Sequence, residues 1–304
     1  MISFRYHLVS VIGIFLAVAL GVVVGTTALD GAVVGDLRRQ VSDLKKSNTD
    51  AAELTKTLQQ QAGNADTLAQ TFGARIAAGK LASTSVVLLS APGAATALKD
   101  AIAAQIAAAG GKVSGRVQLS KDFLDPKRAT DIRSLATSGA HPIGLQLPTT
   151  DDAGRLAGSL LGFVLLGKGQ ATDLTQVLAG FSTLNMAKVE GGDVTAGKAI
   201  VFIVPGALAK DAPAGALLLS MSAELGGVGA TVVAGDSASA SSGGLIAAIR
   251  GDDGAKKAVS TVDDATGALG QLTVALATAD AVAGRKGQYG MSAGADALVP
   301  DTGQ

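Results

Sequence analysis

The hydrophobic pattern changes period twice along the chain. From Leu8 to Leu29 no side chain is charged, and the run ends at Asp30. At a rise of about 1.5 Å per residue, a helix of that length crosses a hydrocarbon core of about 30 Å. Residues 1–30 are therefore read as one transmembrane signal-anchor. The run is longer than the apolar core of a secretory signal, although Thr26 and Ala28 resemble a small-x-small cleavage site. Arg5 and the terminal amine favour a cytoplasmic N-terminus and an exported remainder. Arg38, Arg39, Lys45 and Lys46 pull weakly the other way from beyond the helix end. Within the span Gly13, Ala17, Gly21 and Gly25 recur every fourth residue, a small-residue stripe of the kind that lets two helices pack closely in lipid.

Beyond the anchor the period becomes heptad. Counted from Val34, the a positions are Val34, Val41, Asn48, Thr55, Ala62, Ala69 and Ile76, and the d positions are Leu37, Leu44, Ala51, Leu58, Ala65 and Phe72. No proline interrupts Ala32 to Ala78. The pattern predicts a coiled-coil stalk over 31–80 whose seam is Leu37, Val41, Leu44, Asn48, Leu58, Phe72 and Ile76. A polar Asn48 at an a position favours two parallel strands in register. With the membrane stripe it predicts a parallel homodimer or higher oligomer. The alternative is a single amphipathic helix lying on the domain that follows.

From residue 81 to about 290 the pattern is strand, turn, helix. Ser85–Ser90 is a continuous apolar run stopped by Ala91-Pro92-Gly93. A helix over Ala94–Ala109 ends at Gly110-Gly111, a strand follows over Gly115–Ser120, and a helix over about Asp125–Ser138. The same syllable returns as Ala199–Val204, Pro205-Gly206, a helix over Ala214–Leu225, Gly226-Gly227 and a strand over Ala230–Val233. Ala258–Val262 reads as a fifth strand and Thr266–Ala283 as its helix, with two inserted helices at about 150–184. Strands alternating with helices predict an α/β fold, a Rossmann-like, doubly wound and mostly parallel sheet. The tail 291–304 reads as disordered.

Composition narrows the chemistry. Lys plus Arg and Asp plus Glu both number 25, and no basic stripe for nucleic acid appears. Cysteine is absent, which removes disulfides and thiolate metal sites. Gly162-Phe-Val-Leu-Leu-Gly167-Lys168-Gly169 nearly spells a phosphate loop, but it lacks the Ser or Thr after Lys and follows a helix-like run. The histidines, His7 and His141, have no nucleophile motif beside them, and Met1, Met186, Met221 and Met291 show no ligand spacing. Asp236, Asp263 and Asp264 follow strands and are candidates for the carboxyl edge, or for helix caps. No enzyme and no bound cofactor is expected.

The opening Met1-Ile-Ser-Phe-Arg-Tyr-His-Leu-Val-Ser10, then Phe15-Leu-Ala-Val-Ala-Leu-Gly21 and Gly25, resembles the mycobacterial copper transport protein B family of actinobacteria. So do Val259-Ser-Thr-Val-Asp-Asp264 and Ala283-Gly-Arg-Lys-Gly-Gln-Tyr-Gly290, with Gln288 where the family often has His. The resemblance covers the chain in order. It implies copper efflux and homeostasis, a channel-like role with copper ion as transported substrate, and outer-membrane association. Related corynebacterial members imply an alternative, a coiled-coil scaffold with an envelope protein partner that recruits or activates peptidoglycan hydrolases in cell division.

Overall fold

The computed structural model describes residues 4–137, 141–206 and 213–301. The chain forms two compact units, residues 1–64 and 65–304. The first consists of most of helix α1 (Phe4–Ala77). Of the described helices, α1 is the one long and apolar enough to cross a membrane, over Tyr6–Gly25. A single helix stands where the heptads predict a coiled coil.

The second unit is built around two central strands, Ser85–Ser90 and Ala199–Ile203, that are apolar along almost their whole length. In β1 (Ser85–Ser90), Val86, Val87, Leu88 and Leu89 are all buried, so both faces of the strand must be covered. β2 (Lys112–Leu119), β4 (Ala199–Ile203), β5 (Thr231–Ala234), β6 (Ser260–Val262) and β7 (Gln288–Tyr289) join it in parallel, while β3 (Ala187–Glu190) runs antiparallel beside β2. The order is β3-β2-β1-β4-β5-β6-β7. Direction of winding thus reverses between β1 and β4, as in a doubly wound fold.

Each face carries its own helices. On one, Val87, Leu89, Ile200, Phe202 and Val233 pack with α4 (Ala153–Leu165) and α6 (Pro213–Val228). The two inserted helices are α4 and α5 (Ala171–Thr183). α3 is described over Ala129–Thr137; Ser138, where the sequence places the end of that helix, lies outside the described residues. On the other face Val86, Leu88, Val201, Ile203 and Val232 meet α2 (Thr96–Ala108), α9 (Ala268–Val282) and Ala77 of α1. The contact between α4 and α6 is set by Gly154, Gly158 and Gly162, spaced like the small-residue stripe of α1 but buried in this domain. A Cβ on Gly158 would stand 2.7 Å from the Met221 carbonyl and 2.8 Å from Glu224 Cβ. Glu224 uses that proximity to accept from Ser159 Oγ at 2.9 Å and Arg155 Nε at 3.2 Å.

The last turns of α1 belong to this unit. Ala69, Gly73 and Ala77 face the α2–α9 layer, with Leu272 at 3.4 Å from a Cβ built on Gly73. Thus the a position Ala69 turns towards the chain's own core, while Phe72 and Ile76 stay 47% and 43% exposed. Here the alternative reading, a helix lying on its own domain, describes the stalk base. Gly267, the N-cap of α9, has no side chain to cap with; Asp66 Oδ1 accepts from Leu269 N at 3.1 Å instead, 203 residues away.

Short elements escaped the pattern: β3, β7, α7 (Leu245–Gly251) and α8 (Asp253–Ala258). Residues 291–301 are among the described ones and make backbone contacts past β7. Gly290 N donates to Ala297 O at 3.0 Å and Asp296 N to Gln288 O at 2.6 Å, so backbone pairing past β7 replaces the missing apolar content. Residues 302–304 lie outside the described residues.

Candidate functional site

Two places have features that packing alone does not require: the outer face of α1 and the carboxyl edge of the sheet. On α1, Cβ atoms built on Gly13, Gly21 and Gly25 meet nothing within 4 Å, and Ala17 is exposed beside them. The stripe is therefore open for a close neighbour. Further along, Leu37, Val41, Leu44 and Leu58 are 54–72% exposed, and Asn48 is exposed among them. In water such a ridge is costly at about 25 cal/mol per Å² of apolar area left uncovered.

At the carboxyl edge the crevice between β1 and β4 is where a doubly wound fold ordinarily takes a ligand. Here Pro205 fills that approach: a Cβ on Gly93 would lie 3.6 Å from Pro205 Cβ. Asp236 is a helix cap, accepting from Ser239 N at 2.9 Å. Asp263 is fully buried and paired with Arg250 at 2.7 Å. It also accepts from Met291 N at 2.8 Å and Ser292 N at 3.2 Å, which draws the end of the chain across the edge. Arg250 completes the knot through Nε to Thr261 Oγ1 at 3.0 Å and its guanidinium to Tyr289 O at 2.8 Å. Nothing in the sequence around Arg250 announced this role, since its partners lie 11 to 43 residues away.

Gln288 belongs to the same knot. Its Oε1 accepts from Thr261 at 2.7 Å, and its Nε2 donates to the Lys256 and Val259 carbonyls, both at 3.0 Å. An imidazole has two ring nitrogens and cannot reproduce all three bonds. The motifs Val259–Asp264 and Gly287–Gly290 are thus brought together as a structural clasp.

Asp264 is different. It adopts φ 62°, beside Asp66 and Asp263. Burial first, then those two carboxylates, push its pKa above the ordinary 3.8, against a hydrogen bond from Thr266. A carboxyl with a higher pKa folded than unfolded holds its proton better in the folded state. Its stabilisation is greatest below 3.8 and is lost as pH rises through the raised value. Asn accepts the left-handed backbone. Asp264→Asn is expected to raise the neutral-pH unfolding temperature and to flatten its fall as pH rises above the ordinary carboxylate range. Thermal melts over that rise in pH test this; a variant with the parent's pH slope would contradict it.

Metal donors are dispersed. Met186 and Met221 are in the core, Met291 is 56% exposed, and His7 lies on α1. Among the described residues no three His, Asp or Glu are grouped to hold a metal ion.

The model of one protein family, described as "Copper transport outer membrane protein, MctB", matches residues 1–300. The "Copper transporter MctB" of Mycobacterium tuberculosis (strain ATCC 25618 / H37Rv) is 33% identical over 307 residues, covering 97% of this chain and 98% of that protein. The protein of the same name from Mycobacterium leprae (strain TN) is 32% identical over 314 residues, covering 98% and 99%.

Proposed function

Because the chain belongs to the MctB family of copper transport outer membrane proteins, we propose that it acts in copper homeostasis, lowering cellular copper by export across the envelope. The observation that carries this reading is the likeness to the mycobacterial copper transporters along the whole chain, rather than in one segment. Copper is the substrate in this reading, not a resident cofactor. The apolar helix Tyr6–Gly25 serves as anchor, with the N-terminus in the cytoplasm and the α/β unit outside. One helix cannot enclose a pore, so a channel-like path needs several copies. The stripe Gly13, Ala17, Gly21 and Gly25 and the exposed ridge at Leu37, Val41, Leu44 and Leu58 supply contacts for a parallel homodimer. In register, the Asn48 amides of two copies face each other and satisfy one another.

The test is cell-associated copper after copper challenge, in a strain lacking the gene and in the same strain restored, with entry of an unrelated solute as control. Excess copper with normal solute entry is the expected result. Unchanged copper would overturn the reading.

The exposed seam also favours a second reading, a scaffold that recruits or activates peptidoglycan hydrolases through its stalk. That reading expects misplaced septa and normal copper in the same strain.

A further inference from the structure

Apart from the stalk and the carboxyl edge, a groove of about 620 Å³ runs along the β2–β3 side of the sheet, lined by Thr96, Lys99, Lys112, Ser114, Arg116, Glu190, Asp193 and Thr195. Its origin is a bulge. β1 and β2 pair Val86 with Val113 and Val87 with Gly115, which leaves Ser114 as an extra residue in the strand. Ser114 is 92% buried, the complement of its 8% exposure, and its carbonyl accepts from Thr195 N at 2.8 Å. Its hydroxyl has no hydrogen-bond partner, and among the described residues it is the buried side-chain oxygen left so. A buried hydroxyl without a partner costs stability and calls for an explanation.

The walls say what would satisfy it. Lys99, with a side chain only 6% exposed, is held between both Glu190 oxygens at 2.9 Å and Gln118 at 3.3 Å. That pair fixes the floor and neutralises itself. Towards solvent stand Lys112, Arg116 and Asp193. Arg116 also reaches Asp100, at 2.5 Å, so its guanidinium is already oriented. The rim beside Asp193 is Gly191-Gly192, with φ 74° and 124°, a backbone that glycine holds without strain. With Lys99 and Glu190 paired to each other, the charges that face a guest are those of Lys112, Arg116 and Asp193. Two cations disfavour a metal ion and Asp193 disfavours a multiply charged anion; Asp193 can accept hydrogen bonds from hydroxyls, while Lys112 and Arg116 suit a single carboxylate.

We propose that this groove binds a small hydroxylated carboxylate of the sugar-acid class, with Ser114 donating to it from the floor. The site is independent of the copper reading. The test titrates the full chain in detergent with glucuronate, with glucose and acetate as probes lacking the carboxylate or the hydroxyls. Saturable glucuronate binding is expected, with both comparators at least about tenfold weaker. Arg116→Gln should weaken glucuronate about tenfold, and Lys112→Gln provides the same readout at a residue outside the Asp100 pair. Ser114→Ala carries a signature of opposite signs: weaker glucuronate binding together with a higher unfolding temperature of the unliganded protein, because the orphan hydroxyl is gone. Absence of saturable binding, or parent-like binding by both charge variants, overturns the site. A Ser114→Ala protein that melts lower and binds as the parent overturns the role given to the hydroxyl.

Discussion

Arg250→Met is expected to destabilise the α/β unit by about 3–5 kcal/mol, because it leaves a buried carboxylate without its counter-charge. The Arg250 and Asp263 side chains are 3% and 0% exposed, so water cannot replace the lost partner. The arginine also donates to Thr261 and to the Tyr289 and Ala293 carbonyls, and methionine supplies none of these. The two amides of Met291 and Ser292 keep part of the carboxylate satisfied, which holds the loss below that of an isolated buried charge. For a unit of this size each kcal/mol lowers the unfolding temperature by roughly 2–4 °C. Thermal unfolding of the full chain in detergent measures it. A fall of less than a few degrees would mean that the Arg250–Asp263 pair does not hold the clasp together. Arg250→Met with Asp263→Leu should recover part of the loss, since two apolar residues leave no unpaired charge.

The other large effect concerns the stalk. Changing Leu37, Leu44 and Leu58 together to Asp puts carboxylates on three successive strong positions of one ridge. At the interface of two copies, each change removes a buried leucine worth about 2–5 kcal/mol on truncation and adds charges that repel their counterparts. The homodimer proposed above is expected to be lost, read as a monomer by sedimentation in detergent. All three positions are exposed in the single chain, so the α/β unit should melt as in the parent. In cells the variant should accumulate copper as the gene-deleted strain does. A triple variant that remains dimeric assigns association to the membrane stripe. One that is monomeric yet restores copper export separates association from transport.

How much of this was legible in the sequence depended on where the information lay. β1 and β4 are unbroken apolar runs ended by proline and glycine, so local signals sufficed. The positions of Ser85–Ser90 and the reversal into two βαβ halves followed from them. β3 has four residues, of which Lys188 and Val189 are exposed on the sheet edge, and it carries no period to detect. β7 is two residues long, and its hydrogen bonds, not its side chains, make it a strand. α7 holds Leu245, Ile246 and Ile249, too few turns for an amphipathic pattern to stand out from the loop before it. The aspartates illustrate the limit for the site. Asp236, Asp263 and Asp264 look alike in sequence, yet one caps a turn, one is buried against an arginine, and one has a raised pKa. Those differences are set by Arg250 and Asp66, which local reading does not connect to them. The heptad count also includes Ala69 among the a positions, but that residue packs against the α2–α9 layer of its own chain.

The hydrogen bond from Leu269 to Asp66 has a consequence for how the molecule comes into being. A chain made from its N-terminus offers Asp66 early, but the helix it caps is completed only after almost all the intervening sequence exists. Contacts of such sequence separation form slowly, because loop closure must precede any gain from them. During that interval the α2 face of the growing sheet lacks its second helix, and Val201, Ile203 and Val232 are uncovered. The α2 face of the sheet is therefore completed only once the segment that forms α9 is present. The same dependence makes truncation near the C-terminus far more damaging than the modest size of the missing piece would suggest.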